Sequence, residues 1–295
     1  DGNWKPKPSL FLNTIPSERF PAEPNRYVLY VNYCCPWAHR TIIVRALKGL
    51  ESIIQLVEAD ARDPVHGWMF SGKRGPERDP LYGAKYLKEL YLKADWTYAG
   101  RITVPMLWDK THETIVTNES SHILSLLIHA FDALLPPSPT PSLNPPHLAP
   151  EIQSLNTLIH TSINNGVYAA GFATTQPTYD AAISSLFTAL DALEARLAAP
   201  GAGPYLLGSD ITEPDVRLYT TLVRFDVVYY TLFRCNLKMV RLDYPELGKW
   251  LGRLYWGGGV WRDSTDFYAI KRGYATVAIG NGIVPAGPEP PIMPL

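Results

Sequence analysis

The chain has 295 residues, of which 46% are hydrophobic and 19% charged, and its formal net charge at pH 7 is −1. This composition is typical of a globular protein with one large or two moderate domains, and it predicts neither nucleic acid nor a membrane as a partner. Three cysteines are too few for a disulfide framework, and their odd number favours a reducing compartment, so we expect a cytoplasmic location.

Strands and helices alternate in the first part of the chain, after an irregular arm over residues 1–26. The run "RYVLYVNY" predicts a strand near 27–33, and Pro36 is placed to open a helix that Gly49 closes. "SIIQLVEAD" predicts a second strand, and residues 61–100 interrupt the regular pattern as an insertion. "VPMLWD" and "ETIVTN" predict a strand pair, followed by a helix over "ESSHILSLLIHAFDALL". This order predicts a thioredoxin-like α/β domain over residues 1–135.

A proline-rich segment at residues 136–150 divides the sequence, because seven of its fifteen residues are proline. Proline excludes helix interiors, so we interpret the segment as a linker. Residues 151–295 predict an all-helical domain whose tail, from 276, is an extended surface strip. Its predicted helices lie in "EIQSLNTLIHTSINNG", "PTYDAAISSLFTALDALEARL", "ITEPDVRLYTTLVRFDVVYY" and "YPELGKWLGRLYW". The first of these helices can end at Asn165–Gly166. In the third, Thr212 and Asp215 have the spacing of a capping box.

Two adjacent cysteines lie where the first strand gives way to the first helix. Cys35 precedes Pro36 and is therefore the predicted N-cap, where unpaired N–H groups and the helix dipole stabilise a thiolate. Strand alternation turns Cys34 away from Cys35, so we interpret Cys34 as a small buried hydrophobic residue, and Cys235 as a core residue. The motif lacks a second cysteine three positions on, where Ala38 stands. An external thiol must therefore resolve any mixed disulfide at Cys35.

Several motifs then resemble one known family. The runs "CCPWAHRTII", "HGWMF", "GRITVPMLWD", "TIVTNESSHIL", "NGVYAAGFA" and "TLVRFDVVYY" are similar to the glutathionyl-hydroquinone reductases, or Xi-class glutathione transferases, over nearly all of residues 27–288. The resemblance implies the glutathione transferase fold, which joins a thioredoxin-like α/β domain to an all-α domain. It also implies glutathione as cosubstrate and a homodimer. A metal site at Cys34, Cys35 and His39 is possible on ligand type alone, but no other His or Cys has supporting spacing, so we expect no metal.

Roles for individual residues follow from the resemblance. It implies a cis bond between Val104 and Pro105 that presents the Val104 backbone to the cysteinyl part of glutathione. It implies that Glu119 and Ser120 bind the γ-glutamyl group and that Trp68 and Arg101 close over the tripeptide. The site for the electrophile would use the hydroxyls of Tyr168, Tyr229 and Tyr274.

The resemblance implies reduction of S-glutathionyl-hydroquinones through a mixed disulfide between Cys35 and glutathione. Two alternatives stay open on the residues alone. One is an Omega-like thioltransferase or dehydroascorbate reductase, which shares the chemistry of Cys35 and differs in the helical domain. The other is a non-catalytic protein that binds glutathione or aromatic ligands, although a binding protein needs no thiolate at a helix N-terminus.

Overall fold

The computed structural model of the protein describes residues 9–136, 142–276 and 282–295. The chain divides into two compact units between residues 140 and 141, inside the proline-rich segment. Across the described ranges, no helix is long and apolar enough to cross a membrane.

The first unit contains a four-stranded sheet in the order β2-β1-β5-β6 and a separate two-stranded sheet. Strand β1 pairs parallel with β2 and antiparallel with β5, which pairs antiparallel with β6. The parallel pair needs a helical crossover, and the first helix supplies it. Both the fold class and the predicted order of elements are confirmed here. The strands are β1 (Tyr27–Val31), β2 (Gln55–Glu58), β3 (Ala61–Asp63), β4 (Gly67–Met69), β5 (Met106–Asp109) and β6 (Thr114–Thr117), and the helices are α1 (Pro36–Leu47), α2 (Leu87–Ala94) and α3 (Ser120–His129).

Helix α1 begins and ends where the sequence predicts. Cys35 is its N-cap, with extended backbone angles, and Pro36 is its first residue. Gly49 follows the helix with φ +68°, a conformation that side chains with a Cβ rarely adopt. The helix that follows the two cysteines is therefore fixed at both ends by backbone preference.

Residues 61–100 are more ordered than the sequence indicates. Strands β3 and β4 form a short antiparallel hairpin, and α2 follows with Leu87, Leu90 and Tyr91 buried on one face. The Glu89 carboxylate accepts the backbone N–H of Tyr86 at 2.8 Å at the start of this helix. Three-residue strands are too short to show a period of two, which is why the hairpin was not predicted.

The second unit is helical, as expected. Its helices are α4 (Ala149–Leu158), α5 (Asn165–Gly171), α6 (Gln176–Ala198), α7 (Glu213–Arg224), α8 (Tyr230–Leu232), α9 (Val240–Asp243), α10 (Pro245–Gly257), α11 (Gly259–Asp263) and α12 (Phe267–Tyr274). Short 3₁₀ turns occur at Asp132–Leu134, at the end of the first unit, and at Pro146–Leu148. Two π-helical segments, Ile159–Asn164 and Phe225–Tyr229, lie directly before α5 and α8.

The expected helix end at Asn165–Gly166 is wrong, because the chain continues through the π-helical segment into α5. An asparagine that ends a helix bonds through its side chain to the neighbouring backbone. The Asn164 amide instead donates to the carbonyl of Arg217 at 3.0 Å and to the Thr221 hydroxyl at 2.7 Å. These buried bonds tie the segment to α7, and tertiary contacts override the local preference of Asn and Gly.

Asp215 is a fully buried carboxylate that links three segments of this unit. It accepts the backbone N–H and hydroxyl of Thr212, both at 2.9 Å, so the predicted capping box of α7 is confirmed. It also accepts the Leu206 N–H at 3.0 Å and the Trp250 indole N–H at 2.9 Å. One side chain thus satisfies donors from a loop, from the start of α7 and from α10.

Residues 282–295, the described part of the predicted tail, contain neither helix nor strand. Only Ile292 is buried there. The tail is held by side chains of the helices, since Trp256 donates to the Met293 carbonyl at 3.0 Å and Lys271 to the Ala286 carbonyl at 2.7 Å. Part of the tail prediction, at residues 277–281, lies outside the described residues.

Candidate active site

The turn before α1 places Cys35 at the helix N-terminus. The Cys35 backbone N–H donates to the Asn32 carbonyl at 3.1 Å, and the Cys34 N–H donates to the Asn32 side-chain oxygen at 2.9 Å. Asn32 is buried, and its amide donates to the Ala59 carbonyl at 2.6 Å. We did not predict a role for Asn32, although an asparagine two residues before a turn N–H is a recognisable signal of such side-chain bonding.

The Cys35 sulfur lies 3.5 Å from the carbonyl oxygen of Val104. Val104 belongs to the loop before β5, and its bond to Pro105 is cis, as expected. The structure therefore brings together three residues that the sequence placed in one site. Cys35 is half-buried, so its sulfur is within reach of a ligand that occupies the surface beside this loop.

The other two cysteines differ in their surroundings. Cys34 is half-buried, so our prediction that it is a buried hydrophobic residue is wrong. It lies in the turn after β1, beyond the end of the alternating strand pattern, which explains the error. Cys235 is fully buried, as predicted, and burial raises the pKa of its thiol to about 12.

Glu119 and Ser120 lie at the N-terminus of α3. Glu119 is the N-cap, and its Oε1 accepts the Ser121 N–H at 3.1 Å. Its second oxygen, Oε2, accepts the Ser9 hydroxyl at 3.1 Å. Ser120 is buried as the first helical residue. The helix N-terminus thus combines a fixed carboxylate with backbone donors, an arrangement suited to an amino-acid group with both charges.

Trp68 and Arg101 lie on separate segments of the same unit. Trp68 is half-buried in β4, and the Arg62 guanidinium lies 5.8 Å from its ring centroid. Arg101 is exposed in the loop before Val104, and its backbone carbonyl accepts the Tyr98 hydroxyl at 2.9 Å. Within the described ranges, the Arg101 guanidinium makes no hydrogen bond or ion pair, so its charge is available to an anionic group.

The three predicted tyrosines meet in the helical unit. The Tyr274 hydroxyl lies 2.6 Å from the Tyr168 hydroxyl and 2.7 Å from the Tyr229 hydroxyl. Tyr274 and Tyr229 are buried and Tyr168 is half-buried. Burial, and then the neighbouring hydroxyls, raise the pKa of Tyr274 well above its ordinary value. The Tyr274 hydroxyl therefore keeps its proton at neutral pH.

Phe233 completes the tyrosine cluster and was not predicted. Its ring centroid lies 5.5 Å from those of Tyr168 and Tyr274 and 5.4 Å from that of Tyr229. Its edge-to-face contacts with Tyr168 and Tyr274 give the hydroxyl cluster an apolar wall. The sequence carried a weak signal for it, since Phe233 follows the tyrosine-rich run "VVYY" by three residues.

Metal ligation has no support in the part of the chain that the structure describes. No group of three or more His, Cys, Asp or Glu side chains is placed there to hold an ion.

Comparison with known proteins links the chain to one superfamily. The family model for the glutathione S-transferase N-terminal domain matches residues 34–130, and the model for the C-terminal domain matches residues 176–253. A relative from Schizosaccharomyces pombe named glutathione S-transferase omega-like 2 is 43% identical over 98% of this chain and 95% of its own.

Two further proteins are similar over almost their whole length. The glutathionyl-hydroquinone reductase YqjG of Escherichia coli is 41% identical over 97% of this chain and 89% of its own. Its glutathione-bound structure matches with a TM-score of 0.87 over 96% of this chain and 95% of that one. The glutathione S-transferase Xi from Phanerochaete chrysosporium matches with a TM-score of 0.94 and 45% identity over 99% of this chain and all of that one.

Proposed function

Because the chain belongs to the glutathionyl-hydroquinone reductases, the Xi class of the glutathione transferase superfamily, we propose that it reduces S-glutathionyl-hydroquinones with glutathione. The observation that carries the proposal is Cys35 at the N-terminus of α1, beside the Val104 carbonyl. A serine or tyrosine hydroxyl at this place would assist conjugation by stabilising the glutathione thiolate. A cysteine thiolate can instead attack sulfur and remove glutathione from its conjugate.

The first step transfers glutathione to the enzyme. The Cys35 thiolate attacks the sulfur that joins glutathione to the aromatic ring, and a disulfide bond forms between the two sulfurs. The bond from carbon to sulfur breaks, and its electron pair stays with the aromatic carbon. That carbon takes a proton from a tyrosine hydroxyl or from water, and the hydroquinone leaves. The ring is thereby reduced and the two sulfurs are oxidised.

The second step regenerates the thiolate. A second glutathione attacks the glutathionyl sulfur of the mixed disulfide, which releases oxidised glutathione and the Cys35 thiolate. The resolving thiol comes from solution because Ala38 stands where a C-x-x-C motif has its second cysteine. The sum of both steps converts one conjugate and one glutathione into one hydroquinone and one oxidised glutathione.

We assign glutathione binding to the surface around Cys35 in the first unit. The Val104 backbone pairs with the cysteinyl part of the tripeptide, and Pro105 sets the direction of that backbone. Glu119 binds the γ-glutamyl ammonium, and Ser120 with its neighbouring N–H groups binds the adjacent carboxylate. Arg101 takes the remaining carboxylate, for which a guanidinium is well suited, and Trp68 packs over the ligand.

We assign recognition of the hydroquinone to Tyr168, Tyr229 and Tyr274. Burial and the neighbouring tyrosines keep the pKa of Tyr274 high, so its hydroxyl keeps its proton and can donate it in a hydrogen bond. Tyr168 is the one residue of these three that is half-buried, so we assign the first contact with an entering phenolic oxygen to its hydroxyl. The three hydroxyls can rotate together to donate or accept as the ligand requires.

The direct test of the function uses a synthetic glutathionyl-hydroquinone and reduced glutathione. We expect hydroquinone and oxidised glutathione to accumulate in equal amounts, measured by chromatography. A protein that binds glutathione but releases no hydroquinone would contradict the proposal.

Removing a hydroxyl from the tyrosine cluster tests the hydroquinone site. Tyr168→Phe and Tyr274→Phe keep the ring and its packing, and each loses one hydrogen bond to the ligand. Tyr274→Phe also loses its bonds to the Tyr168 and Tyr229 hydroxyls. We expect catalytic efficiency with glutathionyl-hydroquinones to fall about 2- to 12-fold, and by more if the bond forms mainly in the transition state. With a hydroxyethyl mixed disulfide, which has no phenolic oxygen, the same variants should be nearly unaffected.

The matched control is Tyr268→Phe, since Tyr268 lies on the same helix as Tyr274 but is 61% exposed. This variant should leave both activities at the parental level. Equal losses on both substrates in the Tyr168 and Tyr274 variants would mean that these residues are structural. The protein would then be better described as an Omega-like thioltransferase.

Cys34→Ala should keep activity within about tenfold of the parent. The bond that Cys34 makes to the Asn32 side chain uses its backbone N–H, which alanine retains. After treatment of the parent with oxidised glutathione, mass spectrometry should find the adduct on Cys35. Cys235 should stay unmodified, because burial raises its pKa to about 12. An adduct mainly on Cys34, or a disulfide between Cys34 and Cys35 formed in turnover, would contradict this assignment.

A homodimer, a cytoplasmic location and aromatic glutathionyl conjugates as the physiological partners stay predictions. Sedimentation of the purified protein tests the first of them.

A further inference from the structure

The N-terminal arm continues the main sheet at its edge. The Asn13 N–H donates to the Val116 carbonyl at 2.9 Å, and the Asn118 N–H donates to the Phe11 carbonyl at 3.4 Å. Leu12 lies opposite Thr117 in an antiparallel bridge. The arm therefore covers strand β6, which would otherwise expose its unpaired backbone groups at the sheet edge. This pairing fixes the positions of the side chains that precede and follow Leu12.

Ser9, at the start of the described arm, contacts the proposed glutathione site directly. Its hydroxyl lies 3.1 Å from Glu119 Oε2 and 3.4 Å from the Asn118 carbonyl oxygen, and the shorter bond is the one to Glu119. Oε1 of the same carboxylate accepts the Ser121 N–H at 3.1 Å. Each oxygen of Glu119 thus has its own donor. A carboxylate held at both oxygens is fixed in rotation, which reduces the entropy lost when a ligand ammonium binds to it.

Phe11 reaches a second part of the site through two tyrosines. Its ring centroid lies 5.4 Å from that of Tyr98 and 6.2 Å from that of Tyr91. The Tyr98 hydroxyl donates to the Arg101 carbonyl, and the Tyr91 hydroxyl donates to the Thr103 carbonyl at 2.8 Å. These two bonds hold the segment that leads into Val104. The arm consequently supports both sides of the proposed site, the Glu119 side and the Arg101 side.

We propose that Ser9 and Phe11 are positioning residues for glutathione: Ser9 orients the Glu119 carboxylate toward the γ-glutamyl ammonium, and Phe11 holds the segment from Arg101 to Val104. The inference rests on the proposed function, because it takes Glu119 and Arg101 as ligands of glutathione. Neither residue touches the reacting sulfur. Their loss should therefore change the binding of glutathione and leave the chemistry of bound substrate alone.

The test compares three serine variants for the Michaelis constant for the glutathionyl-hydroquinone, whose glutathionyl group occupies the proposed site, and for turnover at saturation. Ser9→Ala removes the hydroxyl, and Ser9→Thr keeps it. Ser17→Ala is the matched control, since among the described residues this arm hydroxyl bonds to the arm itself, to the Thr14 carbonyl at 3.0 Å and the Phe20 N–H at 3.1 Å. We expect Ser9→Ala to raise the Michaelis constant about 2- to 12-fold with turnover unchanged, and the other two variants to match the parent.

Phe11→Leu tests the aromatic contact in the same assay. It keeps an apolar side chain and loses the ring contacts with Tyr91 and Tyr98, so we expect a Michaelis constant raised about 2- to 12-fold. Melting temperatures measured in parallel show whether the fold is intact.

Calorimetric titration with glutathione separates this inference from the proposed function. The inference is supported if the parent binds glutathione, Ser9→Ala binds it more weakly, and Ser17→Ala binds it as tightly as the parent. Binding that is equal in all variants overturns the positioning role and leaves the proposed function standing. If Ser9→Ala lowers both the turnover and the melting temperature, the arm only supports the fold, and the positioning role is also overturned. If the parent binds no glutathione, both the proposed function and the inference fail.

Discussion

Cys35→Ser should lower the turnover of a glutathionyl-hydroquinone to the uncatalysed background, a loss of about a thousandfold or more. The substitution removes only the sulfur, and a hydroxyl cannot form the mixed disulfide with glutathione. The backbone bonds of Cys35 to Asn32 and His39 are retained, so α1 should still begin at the same place. Glutathione affinity, measured by calorimetry, should remain near that of the parent.

Two controls make the Cys35 result specific. Cys34→Ala removes the adjacent sulfur and should stay active, and the circular dichroism spectrum of Cys35→Ser should match that of the parent. A weak conjugating activity in Cys35→Ser is an expected by-product, because the new hydroxyl can stabilise the glutathione thiolate. Retention of most of the turnover in Cys35→Ser would exclude the proposed mechanism.

Asp215→Ala should lower the free energy of unfolding by about 4 kcal/mol or more, since it leaves four buried donors without an acceptor at about 1–3 kcal/mol each. The donors are the Leu206 N–H, the Thr212 N–H and hydroxyl, and the Trp250 indole N–H. Urea denaturation followed by far-ultraviolet circular dichroism measures the loss. Because the donors come from three segments, the transition of the whole helical unit should shift.

Asp210→Ala is the matched control for Asp215. Asp210 lies five residues earlier and is exposed, and within the part of the chain that the structure describes its carboxylate accepts a single bond, from the hydroxyl of the neighbouring Ser209. We expect its substitution to change the free energy of unfolding by less than about 0.5 kcal/mol. The free energy of unfolding of Asp215→Asn should lie between those of Asp210→Ala and Asp215→Ala, because the new amide keeps one acceptor oxygen but turns an NH₂ group toward donors. Equal stability of the Asp210 and Asp215 variants would contradict the role of Asp215.

The parts of the molecule that the sequence predicted correctly depend on local preferences. Pro36 and Gly49 mark the two ends of α1, and Thr212 and Asp215 mark the start of α7. Each of these signals acts through the backbone of a few neighbouring residues, so a single sequence contains it in full. The position of Cys35 as the N-cap follows from the same local preference of Pro36 for the first helical position.

The features that were missed depend on contacts between distant residues. The continuation of the helix through Gly166 depends on Asn164 bonding to α7, more than fifty residues away. The meeting of Tyr168 and Tyr274 depends on packing within the helical unit, and only the family resemblance suggested it in advance. The bond from Ser9 to Glu119 likewise spans 110 residues and has no local signal.

The two π-helical segments make the tyrosine cluster sensitive to chain length. A π turn holds one residue more than an α turn, and Tyr168 follows the segment Ile159–Asn164 while Tyr229 ends the segment Phe225–Tyr229. The wider turn takes up this extra residue, and if the same residues formed a regular α-helix, those that follow would rotate by about 100° and shift by about 1.5 Å along the axis. The cluster should therefore tolerate many substitutions along these helices, whereas an insertion or deletion of a single residue outside the π turns would separate the hydroxyls.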